Sequence, residues 1–229
     1  MKVAIIPARG GSKRIPRKNI KQFCGKPMIA WSIESAIRSD LFDLVIVSTD
    51  DAEIAEIAQQ YHAMVPFLRP KSLSDDYSAT TPVIAHAIDY VSSKIGSISS
   101  ACCIYPTAPF LAADDLVMGY KIFTEGDWEY VFSATAYSAP VFRSFQKTNS
   151  GAIRMLFPEN FSKRSQDLAS VYHDAGQFYW GKPSAWVNGE HIFSDQSTIV
   201  EIPHWRVQDI DTEDDFYRAE LLFKILNQQ

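Results

Sequence analysis

The chain has 229 residues, of which 46% are hydrophobic and 21% are charged, and this ordinary globular composition argues against a disordered protein. The formal net charge is −5, which argues against a nucleic-acid partner because proteins that bind the phosphate backbone are usually basic. We therefore predict a single domain over residues 1–229.

Membrane proteins and secreted disulfide scaffolds are also disfavoured. No run of eighteen apolar residues occurs, and the apolar stretch after Lys2 is too short for a signal peptide. The three cysteines, Cys24, Cys102 and Cys103, are too few and too badly spaced for a metal site, and they suit a reducing compartment. We expect a soluble, cytoplasmic protein without a membrane partner.

Short apolar runs alternate with segments of helical spacing. Strands are predicted for four such runs, at residues 3–6, 44–48, 101–104 and 130–134. Helices are predicted between them, at residues 50–61, 83–91 and 114–123. Cys102 and Cys103, adjacent in one run, should point to opposite faces of their strand. The alternation predicts an α/β fold with a mostly parallel sheet and helices on both faces.

This alternation is lost between residues 137 and 174, where short β-like pieces such as 141–145 mix with polar loops. We interpret 137–174 as an inserted dimerisation arm that packs on a second subunit. Strands are predicted again at 177–180 and 199–202, followed by a last amphipathic helix that carries Phe216 and Phe223.

A basic loop with two adjacent glycines follows the first strand. Residues 7–19 read PARGGSKRIPRKN, and the segment from Arg9 to Lys26 contains seven basic residues and no acidic one. Gly10 and Gly11 let backbone N–H groups approach phosphate oxygens, and the cations add charge-assisted contacts. Because open α/β sheets bind ligands at the carboxyl ends of their strands, the loop is predicted to hold a triphosphate. It lacks the dinucleotide-binding glycine pattern, which disfavours an NAD dehydrogenase.

An acidic cluster precedes the last helix. Asp209 and Asp211 are two residues apart, so in an extended segment their side chains share one side and can face one metal ion. Mg²⁺ commonly takes one or two protein carboxylates and completes its shell with phosphates and water. The acids at 213–215 are expected only to favour the helix N-terminus, and Asp50 and Asp51 mainly to cap a helix.

Four more segments carry distinctive patterns: RPKSLSDDYSAT at 69–80, YPTAPFL at 105–111, RSQDL at 164–168 and HDAGQFYW at 173–180. Together with the loop and the acid pair, they resemble the CMP-sialic acid synthetase family of cytidylyltransferases, most closely its pseudaminic acid branch. The resemblance covers nearly the whole chain. It implies a Rossmann-like nucleotidyltransferase fold and a homodimer that exchanges an arm.

The resemblance also implies an activity, the transfer of CMP from CTP to a nonulosonic acid with release of pyrophosphate. Pseudaminic acid is the expected sugar. Legionaminic, sialic and 3-deoxy-octulosonic acid remain alternatives, as does a non-catalytic nucleotide-binding regulator. Catalysis is expected to come from positioning and charge neutralisation, with Mg²⁺ as cofactor.

Individual residues acquire roles through the same resemblance. Arg9, Lys13 and Asp211 would be catalytic, and Asp209 and Asp211 would hold the metal. The predicted nucleotide-binding residues are Ala8, Gly10, Gly11, Ser12, Lys18, Asn19, Arg69, Ser78 and Thr80. The predicted sugar-binding residues are Tyr105, Arg164, Gln177 and Phe178. Arg14 is interpreted as a solvated neighbour of Lys13, and His173 as structural rather than as a base.

Departures from the sialic acid pattern decide the expected sugar. Tyr105 and Leu111 stand where sialic acid relatives carry glutamine and arginine, and Phe110, Phe178 and Trp180 are expected to make the surroundings more apolar. Pseudaminic acid has a methyl terminus and two acylated amines, so it offers more apolar surface to such a site than sialic acid does.

Overall fold

The computed structural model describes residues 1–75 and 78–227. Its strands are β1 (Lys2–Pro7), β2 (Gln22–Phe23), β3 (Lys26–Pro27), β4 (Leu44–Ser48), β5 (Ser100–Ile104), β6 (Tyr130–Ala136), β7 (Phe145–Lys147), β8 (Ile153–Met155), β9 (Tyr172–Gly181) and β10 (Ser197–Glu201). Its α-helices are α1 (Met28–Arg38), α2 (Ala52–Gln60), α3 (Thr80–Lys94), α4 (Ala113–Glu125), α5 (Pro183–Asn188) and α6 (Glu213–Leu226).

A six-stranded sheet in the order β10-β6-β9-β5-β1-β4 forms the centre of the domain. Strand β1 pairs in parallel with β4 and β5, and β10 pairs in parallel with β6. Strand β9 runs antiparallel between β5 and β6. The predicted mostly parallel sheet is therefore confirmed, and all four predicted strand runs of the N-terminal part lie in it.

Helices cover both faces of the sheet, as predicted. On one face α1, α2 and α4 pack on a core that includes Ile6, Cys102 and Trp180. On the other face α3 and α5 pack on a second core that includes Ile5 and Cys103. The adjacent cysteines thus point to opposite faces, since successive side chains of a strand alternate. Helix α6 packs beside the basic loop in a third cluster.

Helix α1 is absent from the alternating pattern of the sequence. Seven of its eleven residues are buried, because it lies between the sheet and the hairpin formed by β2 and β3. Its sequence is strongly amphipathic, so the period of a helix is present there and the prediction missed it. None of the helices within residues 1–75 and 78–227 is long and apolar enough to cross a membrane.

The predicted arm leaves the sheet after β6 and returns to it in β9, whose first residues, 172–174, complete the predicted range. Its regular part is a small antiparallel hairpin of β7 and β8. Residues 141–145, predicted as a β-like piece, instead begin with a 3-10 turn at Val141–Arg143. The hairpin is exposed and belongs to neither face of the central sheet.

Candidate active site

Three cavities adjoin one another at the carboxyl ends of β1, β4 and β5. We name them the loop cavity, the α3 cavity and the β9 cavity. The residues after β5 divide them: Pro106 lines the first two, Thr107 lines the first and the third, and Tyr105 lines the α3 and β9 cavities. Carboxyl ends of strands are where open α/β sheets bind ligands, so this is the expected position of a site.

The loop cavity, of about 190 Å³, is lined by residues of the basic loop that include Arg9, Ser12, Lys13, Lys18 and Asn19. Asn19 is buried, and its amide nitrogen donates to the Arg9 carbonyl at 2.9 Å, which fixes the loop across ten residues. The cavity therefore brings together most of the residues predicted to hold the triphosphate.

Three predicted loop residues, Ala8, Gly10 and Gly11, do not line this cavity, and Ala8 is the most deeply placed of them. It is fully buried, and its N–H donates to the Ser48 carbonyl at 2.9 Å, which extends the pairing of β1 with β4. Ala8 therefore anchors the loop to the sheet. Its side chain is not exposed and its N–H is already bonded, so neither can contact a nucleotide.

The two loop glycines have different surroundings. The Gly10 N–H donates to Asp50 Oδ1 at 3.0 Å, and a Cβ on Gly10 would lie 2.6 Å from Asp51 Oδ2. A Cβ on Gly11 would have nothing within 4 Å. Neither glycine has a positive φ. Gly10 is thus required for a close approach to Asp51, whereas neither position needs the left-handed backbone conformation that favours glycine.

Arg17 holds Asp51 in place, and sequence reasoning gave it no role. Its guanidinium donates to both carboxylate oxygens of Asp51 and to Glu53 Oε2 at 2.5 Å. The hydrogen bond from Arg17 lowers the pKa of Asp51 to about 2, so the carboxylate is ionised at neutral pH. Asp51 also accepts from the Ile54 N–H, so it caps α2 as predicted. In the structure Arg17 is marked by a positive φ of 56°, which is unusual for a residue with a side chain of this size.

The α3 cavity, of about 410 Å³, contains the residues predicted to bind the base: Arg69, Ser78 and Thr80. Arg69 is only 6% exposed, and its guanidinium lies 3.7 Å from Asp50 Oδ1 and donates to Ser74 Oγ at 3.3 Å. Burial lowers the pKa of Arg69, and the Asp50 carboxylate opposes that shift.

Ser78 and Thr80 sit at the rim of this cavity. Both the N–H and the hydroxyl of Ser78 donate to Asp75 Oδ1 at 2.7 Å, and Thr80 Oγ1 lies 3.4 Å from the Tyr105 hydroxyl. Arg9 crosses from the loop cavity and donates to the Asp75 carbonyl at 2.8 Å. Asp76 and Tyr77, which belong to the predicted segment 69–80, lie outside the described residues.

The predicted metal pair lies between the loop and the β9 cavity. Asp209 lines the β9 cavity, while Asp211 Oδ2 lies 2.5 Å from Arg14 Nη1. Lys18 Nζ donates to the Ile210 carbonyl at 2.6 Å and lies 3.6 Å from Asp211 Oδ1. Arg14 is largely solvated, as interpreted, with 70% of its side chain exposed, but it also pairs with Asp211 and lines both the loop and α3 cavities.

The acids after this pair have the structural role that was expected. Thr212 and Asp215 form a reciprocal capping box at the start of α6, and the hydrogen bonds from Thr212 lower the pKa of Asp215. Within residues 1–75 and 78–227, no group of three or more His, Cys, Asp or Glu side chains is arranged to hold a metal ion. A metal at Asp209 and Asp211 would therefore need further oxygen ligands from a substrate or water.

The β9 cavity, of about 460 Å³, is lined by residues that include Tyr105, His173, Asp174, Gln208 and Asp209. The Asp174 carboxylate is held at both oxygens, by the Gly176 N–H at 2.8 Å and by the Tyr179 hydroxyl at 2.5 Å. His173 Nδ1 lies 2.9 Å from the Asp174 carbonyl, and its ring packs edge-on against Tyr137.

Of the four predicted sugar-binding residues, only Tyr105 lines this cavity. Phe178 is fully buried in the core between β9 and α4. Gln177 is buried as well, and its side-chain amide donates to the Arg206 carbonyl at 2.8 Å. Arg164 lies on the exposed arm and pairs with Asp167 at 2.8 Å. The predicted segment 173–180 does reach the cavity, but through other residues than Gln177 and Phe178. Asp174 and Gly176 line the cavity, at the bulge opposite Ser133.

Comparison with known proteins identifies the family to which this arrangement belongs. A family model described as cytidylyltransferase matches residues 3–132. The pseudaminic acid cytidylyltransferase of Campylobacter jejuni is 44% identical over 223 residues, which cover 97% of this chain and 96% of the relative. The chain belongs to the cytidylyltransferase family. As a cytidylyltransferase it is a CTP-using enzyme, so the predicted family and enzyme class are confirmed.

More distant cytidylyltransferases share less. The N-acylneuraminate cytidylyltransferase of Escherichia coli is 28% identical over 228 residues, which cover 99% of this chain and 53% of that protein. The solved structure of CMP:2-keto-3-deoxy-manno-octonic acid synthetase superposes with a TM-score of 0.72 at 16% identity, covering 98% of this chain and 99% of the other. That likeness confirms the Rossmann-like nucleotidyltransferase fold.

Proposed function

We propose that this cytidylyltransferase transfers CMP from CTP to pseudaminic acid and releases pyrophosphate. The observation that carries the proposal is the order of the three adjoining cavities. The α3 cavity holds the cytidine, the loop cavity the phosphates and the β9 cavity the sugar acid. Tyr105, Pro106 and Thr107 line the borders between them, so the sugar and the α-phosphate meet beside Thr107.

The reaction is an in-line displacement. The anomeric hydroxyl of the sugar acid releases its proton to solvent as its oxygen forms a bond to the α-phosphorus. The bond from that phosphorus to the bridging oxygen breaks, and pyrophosphate leaves. Arg9 and Lys13, which line the loop cavity, offset the charge on the departing pyrophosphate. Positioning of the two substrates supplies most of the remaining rate enhancement.

Asp209 and Asp211 would hold the Mg²⁺ ion. Carboxylate oxygens are the hard donors that Mg²⁺ prefers, and a pair of them leaves coordination positions for phosphate oxygens and water. When bound, the ion would supply charge neutralisation at the phosphates. Arg14 and Lys18, which contact the Asp211 carboxylate, set the position of this side chain before substrates arrive.

The choice of pseudaminic acid rests on Tyr105 and on the higher identity to the Campylobacter jejuni relative. Phe110, Phe178 and Trp180 were expected to make the sugar surroundings apolar, but all three are buried in the core. Tyr105 is different, because it lines the β9 cavity and presents an aromatic ring where sialic acid relatives carry glutamine.

A panel of sugar acids tests the proposal. Pyrophosphate release is measured with saturating CTP and Mg²⁺ against pseudaminic, legionaminic, sialic and 3-deoxy-octulosonic acid. We expect kcat/KM for pseudaminic acid to exceed that for sialic acid by roughly 10²-fold, the scale on which unpaired polar groups reject a substrate. Equal or better use of sialic acid would overturn the choice of sugar and leave the cytidylyltransferase assignment intact.

The arm of residues 137–171 gives the reason to propose a homodimer. Its hairpin and the following turn expose Phe145, Ile153 and Phe161, which are 62%, 68% and 77% exposed and line one apolar cavity. Apolar patches of this kind mark interaction sites. Because Arg164 lies on the same arm and outside the three cavities of its own chain, it would reach a sugar acid only in the site of a second subunit.

Mixing two defective variants tests the shared site. D211N damages the metal pair, and R164A removes the arm cation. In a heterodimer of the two, one site would combine an intact Asp211 with an intact Arg164 from the other subunit. Co-expression should then restore about one quarter of wild-type activity, since half of randomly paired dimers are heterodimers and each has one intact site.

The matched control is co-expression of D211N with D209N, which lie in the same site and should restore nothing. No recovery with R164A and D211N would mean that Arg164 does not act across subunits. Light scattering of the wild-type protein measures the dimer itself, independently of activity.

A further inference from the structure

Asp174 is a carboxylate of the β9 cavity to which the proposed reaction gives no role. It lies on the first part of β9, at the point where the bulge opposite Ser133 breaks the regular pairing with β6. Its two carboxylate oxygens accept from different donors, the Gly176 N–H on Oδ1 and the Tyr179 hydroxyl on Oδ2. A side chain fixed at both oxygens is preorganised for a partner in the cavity.

Tyr179 donates a hydrogen bond to this carboxylate and cannot accept one from it. The phenol is almost fully buried, and burial raises its pKa far above neutral, so Tyr179 remains protonated. Its single proton is donated to Asp174. The neighbouring Tyr105 ring lies 5.3 Å away, and its hydroxyl reaches Thr80 in the α3 cavity. Asp174 is thus positioned through Tyr179 by residues that border both substrate cavities.

The remaining lining of the β9 cavity restricts what Asp174 can bind. Asp174 and Asp209 are both acidic, and no Lys or Arg of the described chain lines the cavity. The carboxylate of a sugar acid would be repelled by Asp174 and by Asp209 alike, so it must lie away from both side chains. An ionised carboxylate only accepts hydrogen bonds, so the group beside Asp174 has to be a donor.

We propose that Asp174 accepts a hydrogen bond from the N–H of an acylated amine of the sugar acid and is a specificity-determining residue. Tyr179 is its positioning residue. The inference rests on the proposed function, because an acylated amine is a group that distinguishes pseudaminic acid from simpler sugar acids. It identifies the chemistry by which the β9 cavity recognises its substrate.

The Asp174→Asn variant tests this role. The Gly176 N–H keeps the amide oxygen at the Oδ1 position, so the amide nitrogen takes the Oδ2 position and one acceptor is lost. We expect KM for pseudaminic acid to rise roughly 10- to 100-fold, the scale of a hydrogen bond to a charged group, while KM for CTP and kcat change little. Tyr179→Phe should also raise KM for pseudaminic acid, by a smaller factor.

Asp195→Asn is the matched control, because this exposed acid lies on the turn before β10, at the opposite end of the sheet. It should leave all three constants unchanged. An unchanged KM for the sugar acid in D174N would overturn the proposal. So would a loss of kcat by several orders of magnitude with an unchanged KM, since that is the behaviour of a general base.

A second measurement separates donor recognition from a loss of fold. Binding of pseudaminic acid and of its N-methylated analogues is measured by calorimetry in the presence of a CTP analogue that cannot react. Methylation of the recognised amine should weaken binding to the wild type and have little further effect in D174N. If methylation of either amine weakened binding to the wild type and to D174N by the same factor, the assignment of Asp174 to that amine would be contradicted. A wild-type enzyme that ignores pseudaminic acid altogether would overturn the choice of sugar instead.

Discussion

Arg14 and Asp211 form an ion pair with 2.5 Å between Nη1 and Oδ2, and this pair joins the basic loop to the predicted metal-binding acids across 197 residues of sequence. The guanidinium occupies an oxygen that Mg²⁺ would need. The Arg14 guanidinium and a metal ion bound at Asp211 would therefore compete for the same carboxylate.

Removing this competitor should strengthen metal binding. We expect Arg14→Gln to raise the affinity of the nucleotide-free protein for Mn²⁺ by roughly 2- to 5-fold, because a partly exposed ion pair contributes at most about 1 kcal/mol. Paramagnetic resonance of free Mn²⁺ measures this without turnover. Arg38→Gln removes a cation from α1, away from the three cavities, and serves as control. Equal affinities in R14Q and R38Q would contradict the competition.

Activity should depend on a divalent metal and on Asp211. Excess EDTA should abolish pyrophosphate release, and Asp211→Asn should lower kcat by at least about 10²-fold, the scale of removing one preorganised electrostatic partner. Asp214→Asn changes a nearby acid in the first turn of α6 that lines none of the three cavities, and it should retain activity. Metal-independent turnover in D211N would remove Asp211 from the catalytic group.

The two loop glycines should respond differently to the same substitution. In Gly10→Ala the new methyl group would meet the Asp51 carboxylate, which Arg17 holds in place, so we expect a loss of about 1–3 kcal/mol in the free energy of unfolding. Gly11→Ala has open space and should stay within about 0.5 kcal/mol of the wild type. Urea denaturation measures the free energy of unfolding of both variants. Similar values would mean that the loop can shift at Gly10 to accommodate the methyl group.

The Arg17–Asp51 pair should make stability depend on pH at acid values. The pKa of Asp51 falls from 3.8 to about 2 in the folded protein, so its charge stabilises the fold above the unfolded pKa, and this contribution is lost as the pH falls towards 2. Asp51→Asn retains an N-cap and removes the charge. We expect it to cost about 2 kcal/mol at pH 6 and much less near pH 2.5.

Urea denaturation of the wild type and D51N at pH 6, 4 and 2.5 measures this difference. Glu53→Gln is the control, since Glu53 contacts the same guanidinium but is mostly exposed, so its ion pair should contribute little to stability. A difference between wild type and D51N that stays constant across this range would show that the Asp51 charge does not stabilise the fold.

The sequence by itself determined the family, the fold class and the positions of the site-forming loops. Apolar runs such as 44–48 predict buried parallel strands, because a strand covered by helices on both faces has few polar residues. The basic loop, the segment around Arg69 and the acids at 209–211 carry chemistry in their residue types, and each lies in a connection between strands and helices. These features are local, so the order of residues is enough to find them.

Only the tertiary structure decided which side chains face the cavities. Phe178 and Asp174 lie four residues apart in one motif, and a bulge in the pairing of β9 with β6 buries the first and presents the second. In the sequence Arg14 is distinguished only as a neighbour of Lys13, but in the structure it pairs with Asp211, 197 residues away. Bulges and long-range ion pairs depend on how strands and loops are packed in space, and a linear pattern contains no measure of that distance.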